Sequence, residues 1–291
     1  MPIVERLPYE PWRQRGAAVG GDFRWRLGTR KLDVDDWIEL GPDADGPDGW
    51  IAHKRQILAN HHDTAFAAMN GIEPEANEVA ETLVAHLRSR WPDRFAGVAL
   101  DRELHPLEAA SRLVPEDLAL MVERDGRLLF GGGSVCFPNR WDLPSKVGQP
   151  LAAVHQPVAQ LNAQLERGID RFLEQLTPDR PAWRLGWGVI DVADGYTPLD
   201  GSGPTRPSNP SVDELFVRVE RETLRRFDRT RCVLFTIRTY IAPMSAVLSN
   251  AESSADMAAL IAAMPRDVRH YKDLVHHVDA LTERLRRGGD C

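Results

Sequence analysis

A β-hairpin in the middle of the chain is the feature that most constrains its fold. Leu118–Arg124 begins as a short apolar run, and Arg127–Phe137 follows it with strand character of its own. The two residues between them, Asp125 and Gly126, suit the tight turn that joins neighbouring antiparallel strands. The hairpin therefore predicts an antiparallel sheet.

Three more segments predict strands, because they are rich in β-branched and aromatic residues and are separated by loops with turn chemistry: Ala182–Ile190, Glu214–Glu220 and Cys232–Tyr240. Between them and the hairpin, apolar residues recur at helical spacing over about five turns. They are Val158, Leu161, Leu165, Ile169, Phe172, Leu173 and Leu176.

Both ends of the chain carry helical periodicity, from His53 to Trp91 and again from Met257 to Leu285. Strands grouped around one helix, with helices outside them, predict an α+β domain built on one antiparallel sheet. We expect a single domain over residues 1–291. Its sheet core covers about 114–242, with a helical N-terminal cover over 1–113 and a helical tail over 251–288.

Composition excludes several classes of protein. The formal net charge of −7 disfavours a nucleic-acid-binding protein, and no apolar run approaches the length of a membrane span. Met1–Arg15 lacks the basic and then apolar build of a signal peptide. Because the three cysteines show no CxxC spacing, they provide neither a disulfide framework nor ligands for an iron–sulfur cluster. We expect a cytoplasmic protein.

His155 is the histidine whose surroundings differ most from those of a surface residue. It lies among apolar residues just before the predicted long helix. A neutral imidazole in an apolar wall is a good axial ligand for haem iron. A histidine that packs in the core or caps the helix fits the same pattern, and both interpretations stay open at this stage.

Polar residues on the last two predicted strands form a second candidate site. Alternation places Arg218 and Glu220 on one face of their strand, and Arg238 and Tyr240 on one face of the next. Together they could line a polar pocket, or they could form a cross-strand ion pair on a solvated face. The arginine-rich loop 225–231 could bind an anionic partner, or could be an ordinary solvated turn.

Two further motifs favour structural roles. Cys136 lies at the end of the hairpin with no visible neighbouring base, which is typical of a buried cysteine that packs as a small apolar residue. Gly131–Gly133 leads into a strand and not into a helix, so a phosphate loop is disfavoured. A close backbone approach, at a bulge or to a flat ligand, is the better interpretation.

Six segments in order resemble the haem-dependent oxidative N-demethylase alpha-subunit family. They cover most of the chain, and the resemblance is strongest from Val114 to Tyr240. The segments are Val114–Val122, Ser134–Trp141, Lys146–Val158, Trp183–Trp187, Val219–Arg225 and Val233–Tyr240.

The resemblance implies a catalytic haem subunit with a PAS fold, whose sheet has five antiparallel strands with additional terminal helices. It implies non-covalent haem b, with His155 as axial ligand to the iron, and O2 and a secondary amine such as dimethylamine as substrates. Electrons would come from NADPH through a separate reductase that carries a flavin and an iron–sulfur centre.

The chemistry that the resemblance implies needs groups that hold an alkylammonium ion and polarise bound O2. Glu220 is the candidate for holding the alkylammonium, Arg238 could polarise bound O2 or pair with Glu220, and Tyr240 or Thr236 could donate a hydrogen bond. Arg140 and Lys146 are candidates for the haem propionates by their charge and position in the sequence. A haem-binding PAS gas sensor or binding module without turnover is the alternative function.

Overall fold

The computed structural model describes most of the chain. The described residues are 3–13, 18–19, 22–23, 28–150, 172–173, 175–272, 274 and 277–288. The predicted long helix that begins at Val158 lies largely outside them, and within them Phe172, Leu173 and Gln175 are helical.

The strands run throughout the described chain. They are β1 (Ala18–Val19), β2 (Asp22–Phe23), β3 (Arg30–Lys31), β4 (Phe66–Ala68), β5 (Asp117–Arg124), β6 (Arg127–Ser134), β7 (Ala182–Ile190), β8 (Phe216–Arg226) and β9 (Val233–Pro243). Strands β1 and β2 pair with each other, and the other strands form one seven-stranded sheet in the order β3-β7-β8-β9-β5-β6-β4.

Every pairing in the large sheet is antiparallel. The prediction of an α+β protein with one antiparallel sheet is confirmed. The sheet is wider than the predicted five strands, because β3 and β4 add an edge strand on each side. These strands have only two and three residues, which is too short for an alternating pattern to reveal them.

The helices lie before and after the strands that form the middle of the sheet. They are α1 (Trp50–Asn60), α2 (His62–Ala65), α3 (Glu73–Arg90), α4 (Pro92–Phe95), α5 (Pro106–Ser111), α6 (Ser245–Leu248), α7 (Ala251–Ala263), α8 (Arg266–Tyr271) and α9 (Val278–Arg287). Short 3-10 turns occur at Pro11–Arg13, Val34–Asp36, Pro144–Lys146 and Val212–Glu214.

The hairpin turn forms as its sequence predicts. Asp125 and Gly126 both have positive φ angles, 53° and 71°, which is the backbone conformation of the turn type that suits a two-residue hairpin loop. Strand β8 differs from its prediction, since it continues six residues beyond Glu220, to Arg226. Its charged residues lower the strand propensity of the segment, yet both neighbouring strands pair along it.

The pairing register divides the side chains between two faces, which we name the front face and the back face. Arg218, Glu220 and Glu222 of β8 lie on the front face, opposite Ile241, Thr239 and Ile237 of β9. The back face carries the residues in between, which on β9 include Arg238 and Tyr240.

Helices cover the back face. One side of α3 packs against Leu118, Leu120, Val122 and Leu234 of the sheet. Its buried residues recur every three or four positions, as expected for an amphipathic helix: Ala76, Val79, Ala80, Leu83 and Leu87. Helices α6, α7 and α9 pack over the same face around Val217, Val219 and Tyr240.

The front face is covered at both ends of its strands. The segment after β6 supplies Val135 and Leu143, which pack with Phe130 and Met121. Helix α1 adds Trp50, whose ring packs edge-on against the ring of Phe137 with their centroids 4.6 Å apart. At the other end, Arg226 donates hydrogen bonds to the carbonyls of Leu173 and Leu176.

Two consecutive carboxylates, Glu116 and Asp117, anchor these layers where β5 begins. Asp117 is buried on the front face, and its two oxygens accept hydrogen bonds from the backbone N–H groups of Cys136 and Phe137 at 2.9 Å. The Lys54 ammonium of α1 lies 3.7 Å from Asp117 Oδ1, donates to the carbonyl of Glu116 and has no solvent exposure. One buried cation thus holds α1 and the segment after β6 to the central sheet.

Glu116 points to the back face and anchors the segment before α1. Its Oε1 accepts the backbone N–H of Glu39 at 2.7 Å, and its Oε2 is buried without a hydrogen-bond partner. Burial raises the pKa of Glu116 from its ordinary value of 4.5 to about 7, although the nearby charge of Arg238 and the bond from Glu39 act in the opposite direction.

Replacing Asp117 with alanine is expected to lower the free energy of unfolding by about 3–5 kcal/mol, since the buried Lys54 charge loses its counter-ion. The measurement is chemical denaturation followed by far-UV circular dichroism. Asp63→Ala is the control, because Asp63 is fully exposed and its loss is expected to leave stability unchanged. A loss below about 1 kcal/mol for Asp117→Ala would contradict the anchoring role.

Replacing Glu116 with glutamine is expected to change how stability depends on pH. Because the native pKa of Glu116 is raised to about 7, the native state holds the proton more tightly than the unfolded chain. Its contribution is therefore present below about pH 4.5 and is lost as the pH rises through 7. Between pH 5 and 8 the wild type is expected to lose stability relative to Glu116→Gln. Parallel stability curves would show that Glu116 titrates normally.

Candidate functional site

A row of alternating charges crosses the front face. Residues Arg218, Glu220 and Glu222 follow one another on β8, and the register sets Gly186 and Arg184 of β7 opposite the two glutamates. Glu220 and Glu222 lie in the segment Val219–Arg225 that resembles the family, and the sequence analysis placed Arg218 and Glu220 in one candidate site. The row is the candidate functional site.

Each glutamate uses one oxygen to bind an arginine. Arg218 Nε donates to Glu220 Oε1 at 2.8 Å, and Arg184 Nε donates to Glu222 Oε2. Glu222 is 4% exposed, whereas the Glu220 side chain keeps 26% exposure. We call these two bonded oxygens the outer oxygens of the pair.

The remaining oxygens, which we call the inner oxygens, converge over Gly186. A Cβ atom on this glycine would lie 2.7 Å from Glu222 Oε1 and 3.1 Å from Glu220 Oε2. A side chain at this position would force the two carboxylate oxygens to move, so the glycine leaves the space that they occupy. Among the described residues, none donates a hydrogen bond to either inner oxygen.

Burial and mutual repulsion shape the electrostatics of this pair. Burial raises the pKa of Glu222 above its ordinary value, the Arg184 charge opposes that rise, and the Glu220 charge adds to it. Burial also shifts the pKa of Lys272 and lowers it to about 8, although the charges of Glu220 and Glu222 raise it. Lys272 Nζ donates to the Trp187 carbonyl at 2.5 Å. Two carboxylates and three cations therefore influence one another electrostatically in this part of the sheet.

Arg218 links the row to the anchored core. Its Nη2 donates to the Phe137 carbonyl at 2.5 Å and to Thr239 Oγ1 at 3.1 Å, and its Nη1 is buried with no hydrogen-bond partner in the structure. Further along β9, Ile237 lies opposite Glu222 and Phe235 lies opposite Leu224, and both are partly exposed on the front face. The candidate site thus combines an apolar floor with a charged rim.

The structure does not bring Glu220 together with Arg238 and Tyr240. Arg238 and Tyr240 lie on the back face because Glu220 pairs with Thr239, and side chains alternate along a strand. The predicted single pocket is corrected accordingly. Alternation within each strand was read correctly, but the sequence does not reveal the register between strands.

Arg238 and Tyr240 have protein partners on the back face. Arg238 Nη2 donates to Asp43 Oδ2 at 2.7 Å, and the Tyr240 hydroxyl donates to Glu39 Oε2 at 2.7 Å. The other oxygen of Glu39 accepts from the Tyr9 hydroxyl and lies 3.1 Å from Arg221 Nε. Burial raises the pKa of Tyr240. Arg238 and Tyr240 therefore hold the segment that contains Glu39 and Asp43 against the sheet.

The three residues predicted to bind haem lie apart from the charged row or outside the described residues. Arg140 has a positive φ of 52°, and its Nη2 lies 3.4 Å from Asp191 Oδ1 beyond the end of β7. Lys146 ends the short turn Pro144–Lys146 on the front-face side and is partly exposed. His155 lies outside the described residues.

The cysteine and glycine motifs take the structural roles that were predicted. Cys136 is fully buried, and burial raises the pKa of its thiol to about 12, which makes it a poor nucleophile. At Gly132 a Cβ would lie 2.7 Å from the Ala67 carbonyl of the neighbouring strand. The register of β5 and β6 shifts between Leu120 and Met121, so both a close approach and an irregularity occur here.

Several loop arginines are engaged inside the protein. The Arg225 guanidinium stacks 4.5 Å from the ring centroid of Trp37, and Arg226 is buried against the Leu173 and Leu176 carbonyls. Arg229 is exposed and pairs with Glu81. The loop is therefore less available to an anionic partner than its sequence suggests.

Sequence reasoning missed Glu222 and Gly186, which complete the charged row. The signal for Glu222 was present, because it continues the alternation of Arg218 and Glu220. Gly186 gave no signal, since its function depends on pairing with a strand more than thirty residues later. Lys54 and Glu116 were missed for the same reason.

Two general features of the described residues limit what else they can form. They contain no group of three or more histidine, cysteine, aspartate or glutamate side chains arranged to hold a metal ion. Among them, no helix is both long enough and apolar enough to cross a membrane.

Comparison with known families agrees with the resemblance seen in the sequence. A family model described as haem-dependent oxidative N-demethylase, alpha subunit-like, matches residues 28–282. The match includes the whole seven-stranded sheet and the charged row on its front face. Since the matched region is most of the chain, the protein belongs to this family of haem-dependent oxidative N-demethylase alpha-subunit-like proteins.

Proposed function

We propose that this chain is a haem-dependent oxygenase subunit that removes a methyl group oxidatively from a secondary amine such as dimethylamine. The observation that carries the proposal is the carboxylate pair Glu220 and Glu222 beside an apolar floor on the front face. A small alkylammonium ion needs an anionic group to hold its nitrogen and apolar contacts for its methyl groups. Family membership supplies the reaction class.

The residues present fit a non-covalently bound haem b. Phe235 and Ile237 offer partly exposed apolar surface on the front face, and the buried Nη1 atom of Arg218 has no hydrogen-bond partner among the described residues. Arg140 and Lys146 remain our candidates for the propionates, and His155 for the axial ligand. When bound, the haem would supply the binding and activation of O2.

The residues of this chain would position the substrate and exclude water. Glu220 would hold the ammonium group, and Arg218 would fix the Glu220 carboxylate through its 2.8 Å bond. Arg238 and Tyr240 would act from the back face, because their bonds to Asp43 and Glu39 keep β9 and the covering segment in place. We assign them positioning roles and not contact with substrate.

Electrons would come from a separate reductase. The chain has three cysteines, too few to ligate an iron–sulfur cluster of the usual four-cysteine kind. We propose that a partner carrying a flavin and an iron–sulfur centre delivers reducing equivalents from NADPH. Arg229 and Arg231, which are both exposed in the loop between β8 and β9, are the candidates for contact with such a partner.

The inner part of the sheet supports a PAS-like core over about 114–242. Two strands, β5 and β6, precede the segment 151–171, and three strands, β7, β8 and β9, follow it. This is the chain order that the resemblance implies. The edge strands β3 and β4 would then be additions to that core.

The purified protein is expected to show a Soret band that changes with dithionite and shifts when dimethylamine is added. With a chemical or protein reductant, O2 and dimethylamine, it is expected to release formaldehyde. A protein produced with sufficient haem that shows no Soret band would contradict the proposal. A Soret band without formaldehyde from any small methylamine would favour the gas-sensor function instead.

Replacing His155 with alanine is expected to remove or strongly alter the Soret band, because the iron loses its axial ligand. His62→Ala is the matched control, since the His62 side chain is 47% exposed and is paired with Glu108. The control is expected to keep the wild-type absorbance. If His155→Ala keeps a normal haem spectrum, another residue is the ligand.

A further inference from the structure

We propose that Glu220 and Glu222 form one amine-binding site, and that their two inner oxygens select a dialkylammonium ion by accepting its two N–H bonds. This inference rests on the proposed function and assigns Glu222 and Gly186 their roles in selecting the amine. The site would then distinguish amines by the number of N–H bonds they carry, and not by their size alone.

The first argument is that only two of the four carboxylate oxygens bind arginines. The outer oxygens are taken by Arg218 and Arg184, which fix both carboxylates in orientation. The inner oxygens face the same point above Gly186. Two acceptors that converge on one point, with no donor among the described residues, match a ligand with two donors on one atom.

The second argument is the burial of Glu222. With 4% exposure, its inner oxygen has little access to bulk water, so a ligand that leaves it without a donor incurs a desolvation penalty. A dialkylammonium ion has two N–H bonds, a trialkylammonium ion has one and a tetraalkylammonium ion has none. Sites built to bind a polar hydrogen reject analogues that lack it far more strongly than they reject a change of one methyl group.

The third argument is the charge balance of the groups that face the site. Arg184 and Arg218 balance the two glutamates, and Lys272 adds one positive charge that opposes a bound cation. Burial lowers the pKa of Lys272 to about 8, so this opposition weakens in mildly alkaline solution. Binding is therefore measured at about pH 8.5, above the pKa of Lys272 and below the pKa of dialkylammonium ions.

The test is titration calorimetry of the haem-loaded protein with dimethylammonium, trimethylammonium and tetramethylammonium chloride. Dimethylammonium is expected to bind most tightly, trimethylammonium about 10- to 100-fold more weakly and tetramethylammonium not detectably. In Glu222→Gln and Glu220→Gln, affinity for dimethylammonium is expected to fall at least about tenfold and the preference over trimethylammonium to shrink.

A pair of glycine variants on the same strand provides a matched control. Gly186→Ala places a methyl group 2.7 Å from the inner oxygen of Glu222, whereas Gly188→Ala places one where no atom lies within 4 Å. Gly186→Ala is expected to weaken dimethylammonium binding at least about tenfold, and Gly188→Ala to leave it unchanged. The Soret band and the unfolding transition of each variant show whether it folds and binds haem.

The outcomes separate this inference from the proposed function. Equal binding of dimethylammonium and trimethylammonium, or wild-type selectivity in Glu222→Gln or Gly186→Ala, would overturn the two-carboxylate site. Formaldehyde release from dimethylamine in the same preparation would leave the proposed function standing. If no methylamine binds and no formaldehyde forms, both proposals are wrong.

Discussion

The packing of helix α1 and the segment after β6 against the sheet depends on the contacts of the buried Lys54 ammonium. This ammonium joins α1 to the start of β5 through the Glu116 carbonyl and the Asp117 carboxylate. Asp117 in turn binds the backbone of Cys136 and Phe137, whose carbonyl then accepts from Arg218. A buried charge needs an opposite charge or hydrogen-bonding partners, so these contacts constrain one another and hold Arg218 beside Glu220.

Alternation along the strands then gives the two faces different chemistry. On the back face, Glu39 gathers Tyr9, Tyr240 and Arg221 around one carboxylate, and this network holds a covering segment in place. On the front face, Glu220 and Glu222 each bind an arginine through one oxygen, and no described residue donates a hydrogen bond to the other oxygen. A network whose members are all satisfied is suited to structure, whereas acceptors that lack donors are suited to a ligand.

Local sequence signals predicted the elements that depend on local interactions. The Asp125-Gly126 turn requires positive φ angles, which these residues tolerate, and the bounds of β7 agree with the prediction. Strand β8 was predicted too short, because its charged residues have partners only after β7 and β9 pair with it. Glu220 was proposed from the sequence, but Glu222 was not, because its significance depends on Gly186 of another strand.

By itself, the sequence determined the α+β class, the antiparallel hairpin, the family and the alternation of side chains within each strand. These properties depend on residue types and spacings that act over a few positions. Only the tertiary structure decided that Arg238 and Tyr240 lie on the face opposite Glu220, and that two carboxylates meet over Gly186. Register between distant strands decides both, because a shift of one residue moves every side chain of a strand to the other face.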